Sequence, residues 1–235
     1  ISVLNARVEV HGVDAQVLDD GWTPPDPAKP SAGEDANQAE AFKPINAKLA
    51  AWGFTGAAEL LAKADLPADV LAQKRDEVAR LAKLKATVIA KINEAKPPWK
   101  KSHLLLTGLN GDIVKADEKG LTAKVGNKTE TLAWTDLQSR NVGMLLNRAL
   151  DRENADDWIA AGLLSIALGE PTRAEGYFRQ AEKLDGKVEP YLAPLAEASF
   201  KTATDLLEKG EFARAKDALA ALDEDDSYLV AEVAK

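Results

Sequence analysis

The sequence predicts a mainly helical protein with a small antiparallel β-module, an α+β fold in which the helices form hairpins. Apolar residues make up 46% of the 235 residues and aromatic residues only 6%, and the frequent alanines favour closely packed helices. Along most of the chain apolar residues recur every three or four positions, which is typical of amphipathic helices. Between residues 102 and 137 they lie instead in short β-prone runs, so a β-module interrupts the helices.

The first 38 residues predict a β-hairpin followed by a linker. Residues 1–20 place β-branched runs on both sides of His11 and Gly12. Because a lone two-stranded hairpin is marginal in water, we expect it to dock on another module. Residues 21–38 contain four prolines, which resist both helix and strand pairing and favour an extended linker. The chain begins at Ile1 within a strand-like pattern, which indicates a piece of a longer protein.

The next segment predicts a helical hairpin and then a long helix. Two helices, over 39–51 and 55–64, are separated at Gly53, where the chain must turn. A third helix is expected from Pro67 to about residue 95, where the Pro97-Pro98 pair ends it. Its apolar residues recur at spacings of three, four and seven on one face: Leu71, Val78, Leu81, Leu84, Val88 and Ile92.

Turn sequences divide the β-prone segment into three or four antiparallel strands. These turns are Asn110-Gly111, Glu118-Lys119-Gly120 and Gly126-Asn127, which tolerate positive φ. With Trp134 and a short Asp-Leu turn at its end, the segment resembles the small SH3-like barrels of modular bacterial proteins. The predicted segments are therefore 1–20, 21–38, 39–98, 102–137 and 138–235.

A spaced pattern of small and aromatic residues is the most specific signal in the chain. Trp158, Gly162, Gly169, Ala174, Phe178 and Ala181 fall at relative positions 4, 8, 15, 20, 24 and 27 of a stretch that ends near Gly186. This pattern resembles the tetratricopeptide repeat, which implies two antiparallel helices and a role in protein interaction. Small residues at Gly162 and Ala174 would let the helices touch, and Trp158, Phe178 and Leu184 would fill the volume around that contact.

The pattern departs from that family in its groove and in its repeat length. Ile159, Leu163 and Ile166 occupy the groove-lining positions, and their apolar character predicts that the preceding helix covers the groove. A weaker copy from Ser199 to Leu222 repeats the spacing through Gly210, Ala215 and Leu219, at an offset of 41 residues instead of 34. We expect the extra residues, which include Pro190 and Pro194, to interrupt the array. Gly53, Ala58 and the Leu60-Leu61 pair hint at a third hairpin.

Composition argues against most reactive chemistries. The formal charge of −8 repels nucleic acid and anionic lipid, and the absence of cysteine excludes thiolate zinc sites and thiol nucleophiles. No run approaches the roughly 20 apolar residues that span a bilayer, so we expect no membrane insertion by this segment. The compartment, cytoplasmic or extracytoplasmic, stays open.

No catalytic, cofactor-binding or metal-binding residue can be nominated. His11 and His103 lack identifiable partners for catalysis, no phosphate-binding glycine loop or nucleophile elbow occurs, and the acidic run Asp223–Asp226 lacks the ligand spacing of a calcium loop. Trp99 with its flanking lysines, Lys96, Lys100 and Lys101, fits either contact with nucleic acid or an acidic protein surface, or a helix end packed at a junction.

The sequence thus predicts a non-catalytic interaction or scaffold segment of a modular protein, without cofactors. Its partners would be another protein or neighbouring domains of the same parent, and not nucleic acid. The alternative is a sensory or regulatory ligand-binding segment of a membrane-anchored or kinase-linked signalling protein. An enzyme of another class and a single-strand nucleic-acid binder fit the residues less well.

Overall fold

The helical part of the chain is arranged around one long central helix. The computed structural model describes residues 32–100 and 111–220, with side chains from residue 40 onward except those of Asp217, Leu219 and Ala220. Contacts divide the chain after Ala39, and residues 40–235 form one compact unit, with which the following description is concerned. The hairpin predicted over 1–20 lies outside the described residues, as do His11, His103 and Asp223–Asp226.

Eight α-helices and four strands follow one another in the described residues, which confirms the predicted fold class. The helices are α1 (Ala32–Ala50), α2 (Phe54–Leu61), α3 (Ala68–Glu94), α4 (Ser139–Ala149), α5 (Ala155–Ala167), α6 (Pro171–Glu182), α7 (Glu189–Glu208) and α8 (Phe212–Ala220). The strands are β1 (Trp99–Lys100), β2 (Asp112–Ala116), β3 (Gly120–Val125) and β4 (Lys128–Ala133).

Helix α1 begins inside the span predicted as linker. Its first residue is Ala32, seven positions before the expected start. The four prolines of the predicted linker all precede Ala32, whereas Pro44 lies within the helix. The part of the linker before Ala32 lies outside the described residues.

The turn between α1 and α2 is built on a tryptophan in a left-handed conformation. Trp52 has φ of 57°, and the N–H of Gly53 reaches back to the carbonyl of Lys48 at 2.8 Å, which closes the helix end. A non-glycine residue in this region costs about 1–2 kcal/mol. The cost is offset because the buried indole stacks on Trp134, with ring centroids 4.9 Å apart and planes inclined by 20°.

The four strands form an antiparallel sheet in sequence order, which confirms the predicted β-module. Its buried apolar residues are Trp99, Ile113, Ala116, Leu121 and Ala123, and β2 contacts α3. Asn93 of α3 fixes this contact, because its amide accepts from the N–H of Ala116 at 2.8 Å and donates to its carbonyl at 3.0 Å. Within the described residues the sheet is open, with no pairing between β1 and β4.

A buried lysine links the sheet to the turn between α1 and α2. The ammonium of Lys85 on α3 donates to the carbonyls of Trp52 at 3.1 Å and Glu118 at 2.9 Å, and it lies 2.8 Å from the Glu118 carboxylate. The Lys85 side chain is only 8% exposed, whereas that of Glu118 is 78% exposed. The two carbonyl contacts therefore matter more than the solvent-screened ion pair.

Helices α5 and α6 form the predicted antiparallel hairpin. Asn154 caps α5 by accepting from the N–H of Asp156 at 3.0 Å. The start of α5 lies close to the residues that follow α6, because a Cβ on Gly186 would lie 3.1 Å from the Cβ of Ala155. Midway, a Cβ on Gly162 would lie 2.4 Å from the ring of Phe178, so the small residue is required by that aromatic ring.

Two details of the predicted hairpin are wrong. A Cβ on Gly162 would meet the Phe178 ring first, and Ala174, one turn before Phe178, is fully buried. Leu184 is 37% exposed and Trp158 is only partly buried, so neither fills the interior as expected. Both lie where the hairpin ends, and no further element covers them among the described residues.

The segment that contains Pro190 and Pro194, which was expected to interrupt a repeat array, lies within one continuous helix. Helix α7 has 20 residues against 13 in α5, an excess equal to the difference between the observed and usual repeat offsets. Pro190 lies in the first turn, where its missing N–H has no helical partner in any case. Pro194 is accommodated inside the helix, so the expected break is absent.

One apolar core runs through the segments that the sequence separates. It extends from Ile45 to Ala196 and includes residues of α3, of the sheet and of the α5–α6 hairpin. Its continuity arises because α3 buries side chains along most of its length, from Val78 to Ile92. The β-module is thus part of the helical body.

We predict that Gly162→Ala lowers the free energy of unfolding by about 1–3 kcal/mol, because the added methyl overlaps the Phe178 ring in a packed core. Urea denaturation measures this. Gly176→Ala is the matched control: a Cβ on this exposed helical glycine would meet no atom of another element within 4 Å, so the change should stabilise by up to about 1 kcal/mol. Equal effects of the two variants would contradict the packing described.

We predict that Lys85→Met lowers the free energy of unfolding by about 1–3 kcal/mol, since the carbonyls of Trp52 and Glu118 lose a buried donor. Glu118→Gln, which removes only the exposed carboxylate charge, should cost at most about 1 kcal/mol. Chemical denaturation of both variants tests the ranking. A larger loss for Glu118→Gln would show that the ion pair, and not the carbonyl contacts, holds the sheet in place.

Candidate interaction groove

A groove of about 390 Å³ opens between four helices of the body. Helices α1, α3, α5 and α7 each contribute to its walls. It is lined by Asn46, Leu49, Gln73, Lys74, Glu77, Leu81, Leu163, Ile166, Ala167, Pro190, Tyr191, Pro194 and Leu195. Most of these side chains are apolar, and the polar ones come mainly from α1 and α3.

Helix α3 supplies one wall through residues one turn apart. Gln73, Glu77 and Leu81 share a face because they recur at a spacing of four. The Glu77 carboxylate is held along the helix, with Lys74 Nζ at 2.7 Å and the amide nitrogen of Gln73 at 3.4 Å. Lys74 also lies 5.6 Å from the ring centroid of Phe42, so both charges of the groove have partners.

Helix α5 supplies the apolar floor and one rim. Leu163, Ile166 and Ala167 share a face, and Leu163 is buried whereas Ile166 is 43% exposed. The sequence predicts that the preceding helix covers this face. Instead α3 packs against α5, Ile159 and Leu163 are buried, and the position of Ile166 stays open, so the expected complete cover is wrong.

Helix α7 closes the opposite wall with its first two turns. Pro190, Tyr191, Pro194 and Leu195 recur at spacings of one and four, which places them on one side of the helix. The Tyr191 ring stacks on Phe178, with centroids 5.2 Å apart and planes inclined by 13°. Because Pro194 has no N–H, it cannot donate the usual helical hydrogen bond to the carbonyl of Pro190.

The ionisable groups of the groove are either paired with each other or held neutral. Its ionised groups, Lys74 and Glu77, neutralise each other at 2.7 Å, and burial, followed by the nearby Glu77 charge, raises the pKa of Tyr191 above its ordinary value of 10.0. Tyr191 is therefore a neutral phenol at physiological pH. In the described ranges no group of three or more potential metal ligands occurs, and no helix there is long and apolar enough to cross a bilayer.

Of the residues singled out for chemistry in the sequence, only Lys96, Trp99 and Lys100 belong to the described part of the chain, and none of these three lines the groove. Trp99 is buried in β1, opposite Ile113 of β2, and Arg148 lies 5.1 Å from its ring centroid. This arrangement favours the junction interpretation of the lysine-flanked tryptophan. The sequence did not predict that polar residues of α3 line a groove. The one indication was that Gln73 and Glu77 flank the apolar face of that helix.

We predict that two of the three tyrosines ionise above the ordinary pKa. Burial raises the pKa of Tyr177 as it does that of Tyr191, so the neutral phenols favour the folded state. Their stabilisation is complete below about pH 10 and is lost as the pH rises through the higher folded values. Absorbance at the tyrosinate band, recorded against pH with and without denaturant, should show two late transitions that disappear on unfolding. Three simultaneous transitions near pH 10 would contradict this.

The likeness of Trp158–Gly186 to a tetratricopeptide repeat rests on residue spacing alone. No protein-family model matches the sequence, and no curated protein and no solved structure matches it either. Function is therefore inferred from the geometry of the chain.

Proposed function

We propose that this segment is a non-catalytic protein-interaction module and that its groove binds a short, uncharged, apolar stretch of a partner polypeptide. The α5–α6 hairpin, which we interpret as tetratricopeptide-like, and the long α3 serve as its scaffold. The observation that carries the proposal is the open position of Ile166 in a groove that four helices line mostly with apolar side chains.

The lining chemistry selects the kind of partner. Lys74 and Glu77 are already paired, so a charged ligand would find no free complement in the groove. Leu81, Leu163 and Leu195 offer contact to aliphatic or aromatic side chains, each of which contributes about 1.5–3 kcal/mol when fully buried.

The polar groups fit the backbone of such a peptide. The amides of Asn46 and Gln73 lie on the α1 and α3 walls and can pair with peptide N–H and C=O groups. A few polar groups at fixed positions around an apolar floor are the usual composition of a recognition groove.

The test is selection of a phage-displayed random peptide library on the full chain, followed by fluorescence polarisation with the enriched peptides. We expect enrichment of sequences with at least two large apolar residues and little net charge. Ile166→Glu should weaken their binding by about tenfold or more, because the carboxylate would be desolvated against an apolar ligand.

The matched control is Val125→Glu. Val125 is 42% exposed, close to the 43% of Ile166, but it lies at the end of β3, outside the groove. Binding should be within about twofold of the unmodified chain in this variant. Failure to enrich any peptide, or equal losses for the two variants, would refute the proposal.

A further inference from the structure

A second pocket lies at the opposite end of the α5–α6 hairpin from its turn, and the groove does not account for it. It has a volume of about 290 Å³. Its lining comes from the end of α4, the loop before α5, helix α5 itself and the end of α6: Asn147, Arg152, Trp158, Gln180, Lys183 and Leu184. Trp158 and Leu184 are the two residues that the sequence pattern assigned to the hairpin interior.

The indole of Trp158 is held in a fixed position at this pocket. Its Nε1–H donates to the carbonyl of Arg152 at 3.2 Å, and its ring lies 5.8 Å from that of Tyr177. Tyr177 is buried, so it supports the indole from the protein side. A partly buried indole beside the exposed Leu184 forms an apolar wall that a ligand can contact without rearrangement.

The two cations of the pocket have no carboxylate partner in the described part of the chain. Arg152 and Lys183 form no ion pair there, although acidic residues are close in sequence. Asp151 instead accepts from the N–H of Glu153 at 3.1 Å, and Glu182 pairs with Arg179 at 2.9 Å. The lining itself contains no acidic side chain.

We propose that this pocket binds an acidic peptide. A carboxylate of the peptide would pair with Arg152 and Lys183, and a neighbouring apolar side chain would lie against Trp158 and Leu184. Charge complementarity supports this occupant, because an unpaired pair of cations beside an apolar wall matches an anionic and apolar ligand. The amides of Asn147 and Gln180 complete the lining with groups that suit a peptide backbone.

The test follows the Trp158 indole signal by ¹H–¹⁵N NMR in the full chain, assigned with Trp158→Phe. The probes are N-acetyl-Glu-Leu-Glu-amide and its uncharged counterpart N-acetyl-Gln-Leu-Gln-amide. We expect a saturable shift with the acidic peptide at concentrations up to about 10 mM and none with the uncharged one. About 1 M salt, which shortens the screening length to about 3 Å, should weaken the binding.

Lys183→Gln should weaken the acidic peptide by about threefold or more, whereas Lys187→Gln, which removes an equal charge from an exposed residue outside the pocket, should leave the affinity within about twofold. Both positions are exposed, so folding is retained. Ile166→Glu should have no effect, which separates this pocket from the groove. The proposal is overturned by an absent shift, by equal responses to both peptides, or by equal losses for the two lysine variants.

Discussion

Burial of the apolar face of α3 is the constraint on which the rest of the body depends. This face runs through Val78, Leu81, Leu84, Val88 and Ile92, and a helix of 27 residues spans about 40 Å. No single neighbour can cover that length. The sheet contacts one part of it and the α5–α6 hairpin another, so two structures far apart in sequence share one core.

The groove is a consequence of unequal helix lengths around α3. Helix α7 is seven residues longer than α5, and its first two turns carry the residues that face α3 across the opening. Those turns supply the fourth wall of the groove. The same prolines that predict a break from the sequence, Pro190 and Pro194, therefore shape a surface.

Patterns within one element were predictable, and contacts between distant elements were not. The face of α3, the turns of the sheet and the need for a small residue at Gly162 follow from local periodicity and spacing. The stack of Trp52 on Trp134 joins residues 82 positions apart, and no local pattern indicates it. Lys85 is an intermediate case. It lies in helical register with Leu81 and Val88, which indicates burial, but a charged residue is normally expected to be exposed.

The candidate sites show the same division. The apolar side chains of Leu163 and Ile166 predicted a covered groove, but whether a neighbouring helix covers both residues depends on how α3 packs against α5. Trp158 and Leu184 matched interior positions of a repeat that normally continues with another helix pair at that end. Here the pair ends against solvent, and the same residues become a surface.

The stacked indoles of Trp52 and Trp134 also have an optical consequence. Both rings are held in one fixed arrangement, 4.9 Å apart, and the near-ultraviolet circular dichroism of such fixed aromatic groups is lost when tertiary packing is lost. Trp52 lies in the turn between α1 and α2, and Trp134 directly follows β4. The chain thus carries a built-in chiral probe whose amplitude reports whether the sheet and that turn are together, independently of the helix content.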